Sequence, residues 1–136
     1  MRSIKIIVLF ITILIFALTG LPAFCYTGLI IDAHGLDVKP SMSPKIYDTR
    51  GIEIYGTVNV SPDFVNLVGI IGYANTIKQA IDENLVGEHP LIVRAIRIFE
   101  DPVRGSLIIK EEDGKLVMLE NMRAGFLHNY KVAIVW

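Results

Sequence analysis

Apolar residues along this chain come in short blocks, and the polar residues between them mark turns. Gly28 to Ala33 holds the continuous run Leu29-Ile30-Ile31 and predicts a strand buried on both faces. His34-Gly35-Leu36-Asp37 predicts the turn that follows. Pro40 and Pro44 bracket Ser41-Met42-Ser43, which favours an extended, stiff connector. Lys45 to Asp48 and Ile52 to Val60 read as a hairpin about Thr49-Arg50-Gly51. Ile52 and Ile54 alternate there with Glu53 and Tyr55, the period of a half-exposed strand. Ser61-Pro62-Asp63 starts a helix, with a capping hydroxyl, proline at the first helical position and an acid in the first turn. Phe64, Leu67 and Val68 share its face.

Gly69 and Gly72 interrupt that helix, and Ala74 to Asn84 resumes it with Ile77, Ala80 and Ile81 on one stripe. Leu91 to Phe99 predicts a strand, turned by Asp101 to Gly105 into another at Ser106 to Lys110. Two readings meet at Glu111-Glu112-Asp113-Gly114. Asp-Gly between apolar runs signals a hairpin. Three acids ahead of Leu116, Leu119 and Met122 suit a helix start, which is favoured. Val132 to Val135 is the last strand, followed by Trp136, which either closes that strand or plugs into a partner. Strands, helix, strands, helix and strand together give an α+β class: one mixed sheet with two or three helices in a single domain over residues 26–136.

Composition changes the picture at the N-terminus. The 136 residues are 52% hydrophobic with a mean hydropathy of +0.50, high for a soluble domain. Residues 1–25 are the cause. Arg2 and Lys5 precede the uncharged run Ile6 to Leu18, Gly20 and Pro22 break it, and Ala23-Phe24-Cys25 resembles a cleavage site, the layout of a signal peptide. Two alternatives are an uncleaved anchor helix and a lipoprotein with Cys25 lipidated, which Phe24 disfavours. Cleavage removes two of the 13 basic residues and none of the 14 acids, so the remaining 111 residues carry a net charge of −3. That balance argues against nucleic-acid binding, which needs a clustered basic surface. Cleavage also removes the lone cysteine, so no disulfide or thiol chemistry remains.

Candidate chemistry is sparse. Asp32 and His34, two apart at a strand end, are placed to share a side and to start a metal site or an acid/base pair. A third ligand is wanting, because His89 and His128 stand at no ligand-like spacing. The plainer reading makes Asp32 a turn cap and His34 a solvated ring. No Gly-x-Ser-x-Gly and no phosphate loop occurs. Arg94 and Arg97, three apart in a strand, are expected on opposite faces. Either their stems cover apolar surface, with Glu53 or Glu100 in reach, or they meet a neighbouring subunit. The five tyrosines are expected at the edge of the core. No catalytic, cofactor or metal residue is assigned.

Tyr26 to Ala33, Gly35-Leu36, Pro40, Pro44-Lys45-Ile46 and Gly51-x-Glu53-x-Tyr55-Gly56 resemble a block in small exported bacterial proteins. These are relatives of the flagellar-assembly-associated outer-membrane lipoproteins. Gly72-Tyr73-Ala74, His89-Pro90-Leu91 with Val93 and Ala95, and Phe126-Leu127 with Lys131-Val132 extend the similarity over most of residues 26–136. Two positions depart from the block: it has Arg where His34 stands and Gly where Asp37 stands, so a binding role of that Arg would be lost. The longer relatives carry an upstream lipoprotein portion not matched here. The resemblance implies a structural or assembly protein of the envelope, in the periplasm or outer membrane, associated with a flagellum or secretion, and not an enzyme. Its partners would be other envelope proteins or itself, with membrane contact only through the N-terminal segment, which as an anchor would leave the domain on the inner membrane facing the periplasm. Asp32, His34, Gly35, Pro40 and Pro44 form the expected partner-contact loop. The alternative is a periplasmic module that binds a small ligand or metal through Asp32 and His34.

Overall fold

The computed structural model describes residues 1–19, 24–56, 70–100, 102 and 104–136. The predicted helix start at Ser61, with Phe64, Leu67 and Val68, lies outside the described residues, as do Gly20, Pro22 and residues 57–60 of the second hairpin strand.

The N-terminal run forms α1 (Arg2–Thr19). Its residues up to Leu14 are exposed, and the core begins only at Leu29. Among the described residues, no helix is long and apolar enough to cross a membrane. The strands are β1 (Gly28–Asp32), β2 (Ile46–Asp48), β3 (Glu53–Tyr55) and β4 (Gly72–Ala74). After α2 (Ile77–Asp82) come β5 (Pro90–Ile98) and β6 (Leu107–Ile109), then α3 (Glu111–Ala124) and β7 (Val132–Val135). The strands form one mixed sheet in the order β3-β2-β6-β5-β1-β7-β4. The protein is thus a small α+β domain, as its sequence predicts.

The sheet is built around β1, which pairs in parallel with β5 and β7. Leu29, Ile30 and Ile31 have no exposure, nor do Val132 to Val135. A strand with neighbours at both edges and apolar layers on both faces needs such a continuous run. The larger core lies on the face of Leu29, Ile31, Val93, Ile134 and Phe126. On the opposite face α2 covers Ile30, Ala74, Ala133 and Val135 with Ala80, Ile77 and Ile81.

β2 and β3 form the expected hairpin, paired antiparallel with an irregularity at Ile46/Tyr47. Its turn is organised by Asp48, a buried carboxylate. Asp48 Oδ1 accepts from the amides of Arg50 (2.8 Å) and Ile52 (3.1 Å), and Oδ2 accepts from Arg50 Nε (3.0 Å) and Nη2 (2.7 Å). The alternation expected there is not kept. Ile52 is 48% exposed, and Tyr55 is buried beside Ile54 because its hydroxyl donates to Ile70 O at 2.8 Å.

Two further expectations need correction. The helix expected over Ala74 to Asn84 is shorter. Gly72–Ala74 is the edge strand β4, paired in parallel with β7, and α2 starts after Thr76, whose side chain accepts from the Gln79 amide. Arg94 and Arg97 share a face. Ala95 pairs with Ile109 and Arg97 with Ile108, so a bulge at Ile96 takes up one residue and brings Arg97 to the side of Arg94.

The acidic segment Glu111-Glu112-Asp113 does open a helix. Gly114 serves close packing there rather than a turn: a Cβ at that position would stand 3.1 Å from Ile54 Cδ1 and 3.3 Å from Asp48 Cβ. Val117 and Asn121 complete the buried side of α3, and Asn121 Oδ1 accepts from the Leu127 amide at 2.9 Å. Trp136 follows β7 and donates its amide to Ala74 O (3.1 Å), so it closes the last strand against β4.

Candidate functional site

Asp32 ends β1 at the carboxyl ends of the parallel strands, where open α/β sheets commonly place their sites. It stands beside Arg94 of β5 and Val135 of β7. The chain then turns at Gly35, whose φ of +84° is left-handed and suits a residue without a Cβ. The turn returns His34 over Asp32: Nδ1 lies 2.7 Å from Asp32 Oδ1, and the His34 amide donates to the same oxygen at 3.1 Å. His34 Nε2 lies 3.0 Å from Asn75 O, just beyond β4. Arg94 Nη1 reaches Asp32 Oδ2 at 3.4 Å, and Nη2 donates to His34 O at 3.3 Å.

Both ring nitrogens of His34 therefore face acceptors, a carboxylate and a carbonyl. Only an imidazolium donates to both at once. The shifts agree with this. The Asp32 hydrogen bond, then the Asn75 carbonyl, hold His34 above its ordinary value. Burial works to raise the Asp32 carboxyl, but the His34 amide, the His34 ring and Arg94 together hold it below its ordinary value. The result is an ion cluster in which the Asp32 carboxylate is shared between His34 and Arg94, and in its imidazolium form the ring has no lone pair for a metal or a substrate proton. Among the described residues no group of three His, Cys, Asp or Glu side chains converges. His89 precedes β5 and His128 precedes β7, at the opposite end of the parallel strands. As chemistry, the cluster fastens the β1 turn to β4 and β5.

The expected contact loop is only partly available to a partner. His34, Gly35 and Pro40 are exposed and Asp32 is partly covered, but Pro44 is buried and can meet nothing outside the chain. Tyr73 holds the connector from within: its hydroxyl accepts from the Ser41 amide (2.9 Å) and donates to Ser41 O (3.1 Å).

The more prominent surface is one the sequence reading did not single out. α3 buries Gly114, Val117 and Asn121, so the apolar residues that mark it as a helix face outward. Leu116 is 39% exposed, Met118 43%, Leu119 57% and Met122 82%. Between this row and the hairpin runs an open groove of about 340 Å³, lined by Ile52, Ile54, Lys115, Met118, Leu119 and Met122. The signal was present: Leu116, Leu119 and Met122 stand at i, i+3 and i+6, but Gly114, Val117 and Asn121 define another stripe of equal period. On the far face of the sheet β5 presents Ile92 and Ile96, 48% and 43% exposed, beside Arg94 and Arg97. An open depression of about 590 Å³ continues that surface past Arg97 and Phe99 to Leu36 and Asp37.

A comparison with curated proteins finds no match. The family model of the second domain of Treponema pallidum Tp0624 matches residues 28–136, from the first residue of β1 to Trp136. That span takes in the whole sheet, the Asp32–His34 cluster and α3, so the chain belongs to the family of the Treponema pallidum Tp0624 second domain.

Proposed function

We propose that this protein is an exported domain of the bacterial envelope, structural or assembly in type, that acts by protein–protein contact and not by catalysis. Residues 1–25 are its export leader. The resemblance to the flagellar-assembly-associated lipoproteins supports a place beside a flagellum or secretion apparatus. One observation carries the contact reading: Met118, Leu119 and Met122 are exposed on a helix whose other side is packed into the core, and with Ile52 and Ile54 they line one open groove. Contiguous apolar surface of this kind marks interaction sites, and methionine adapts to a partner's shape.

The test is made in living cells. A photo-crosslinking residue is placed at Leu119 and, as control, at Lys78 on the exposed side of α2. Mass spectrometry identifies the adducts and the mature N-terminus. The expected result is an envelope-fraction protein that begins after Cys25 and gives an adduct, with an envelope protein or with itself, from position 119 alone. A cytosolic protein retaining Met1, or equal adducts at both positions, rejects the proposal.

A further inference from the structure

β7 ends between the two strands it separates. Val135 stands level with Asp32 of β1 on one side and with Ala74 of β4 on the other. Neighbouring strands lie about 4.8 Å apart, so the ends of β1 and β4 are about 10 Å from each other. His34 crosses that gap. Its Nδ1 lies 2.7 Å from Asp32 Oδ1, and its Nε2 lies 3.0 Å from the carbonyl oxygen of Asn75, the residue after β4. One side chain thus straps the end of β7 from both flanks. The junction it reaches leads into α2. There the Asn75 amide donates to Gln79 Oε1 (2.8 Å) and the Gln79 amide to Thr76 Oγ1 (3.0 Å).

The strap needs two protons. An imidazolium has two N–H donors and a neutral ring has one. The two acceptors are unequal, because a carboxylate holds a donor more strongly than a carbonyl does. A ring that has lost one proton therefore keeps the other on Nδ1, toward Asp32. Its Nε2 lone pair then faces the Asn75 oxygen with no proton between them, and that contact is no longer attractive. The charged groups that face the ring are Asp32 of β1, which favours its second proton, and Arg94 of β5, which opposes it. β7 offers the apolar Val135, and the β4–α2 junction offers the uncharged Asn75 carbonyl.

We propose that His34 is a proton-operated strap: charged, it ties the β1 turn to the β4–α2 junction across the end of β7, and on losing a proton it keeps Asp32 and releases Asn75. The Asp32 and Asn75 contacts hold the ring above its ordinary value of 6.5, so the strap is closed below that pH and opens as pH rises through the folded value. The turn stays fastened on the β5 side, where Arg94 Nη2 donates to His34 O at 3.3 Å. Tyr73 still binds β4 to Ser41, so the release is local to the junction. The strap lies apart from the α3 surface and works whatever meets that surface.

NMR on the whole protein, on both sides of the His34 titration midpoint, tests it. The nitrogen shifts of the ring are expected to show the neutral form protonated on Nδ1. Amide exchange, corrected for its intrinsic pH dependence, is expected to lose about three- to tenfold in protection at Asn75 and Gln79 with the same midpoint, the worth of about one hydrogen bond. In His34→Gln, which cannot titrate, the protection of these amides is expected to be the same at every pH. A neutral ring protonated on Nε2 overturns the inference, since it would release Asp32 instead. So does protection in the wild type that ignores the ring's titration, or a fall of equal size in His34→Gln. If that variant does not fold, the ring tautomer and the wild-type profile decide between the two results.

Discussion

Val117 and Leu119 are two residues apart on α3 and nearly equal in apolarity, yet their replacement by alanine is expected to give different results. Val117 has no exposure and belongs to the main core. Val117→Ala deletes two methyl groups, worth about 1.6 kcal/mol at about 0.8 kcal/mol per carbon. The cavity left between α3 and the hairpin raises the cost to about 2–3 kcal/mol. For a domain of this size that lowers Tm by about 10 °C. Leu119 is 57% exposed, and Leu119→Ala is expected to stay within about 0.5 kcal/mol of wild type in the monomer. Thermal and urea melts followed by circular dichroism, at a concentration too low for association, measure both. If Leu119→Ala costs as much as Val117→Ala, the helix is rotated from the orientation described and the outward row, with all that rests on it, does not exist.

Four other outcomes follow from particular contacts. Burial raises the Asp48 carboxyl, but the Arg50 guanidinium and the turn amides outweigh it and hold its folded value below the ordinary 3.8. Asp48→Asn is therefore expected to melt lower than wild type at neutral pH, and the gap should close as pH falls below 3.8 through the folded value; a constant gap down to pH 2 would refute this. His34 is raised in the folded state, so what it adds to the β1 turn is fully present below its unfolded value near 6.5. That contribution is lost as pH rises through the folded value, and NMR should show a ring titration midpoint above 6.5 in wild type and a lower midpoint in Asp32→Asn than in wild type. Tyr73→Phe removes two hydrogen bonds to Ser41, and is expected to cost about 1–2 kcal/mol in urea melts and to speed amide exchange in residues 39–43. Titration with zinc, copper or calcium is expected to leave Tm unchanged, since both ring nitrogens of His34 are engaged; a stabilisation that rises with metal concentration would revive the metal-binding alternative.

What the sequence disclosed and what it hid have physical reasons. β1 was legible because a strand paired at both edges and covered on both faces is apolar throughout, and Leu29-Ile30-Ile31 is. The hairpin was legible from Thr49-Arg50-Gly51, and α3 from its acids. The orientation of α3 was hidden because its buried stripe contains a glycine and an asparagine, which no hydrophobic pattern selects. β4 was hidden because three residues are too few to show a period, although Thr76 with Gln79 three positions on was a readable cap for α2. The common face of Arg94 and Arg97 depends on the bulge at Ile96, and nothing local in the sequence announces it. At the candidate site Asp32 and His34 were found two apart and are indeed together. Their partners, Arg94 and Asn75, lie 62 and 41 residues from them and needed the topology.

The placement of β1 between β5 and β7 also has a consequence in time. The first strand made has no pairing partner until the chain has grown some sixty residues further, and its second partner is over a hundred residues away. Contacts so distant in sequence make for slow folding, because large loops must close before any ladder rewards them. A growing chain therefore emerges from the ribosome with the central strand of its sheet unsheltered. That leaves an interval in which, without a chaperone, Leu29 to Ile31 is exposed and prone to stick to its own kind.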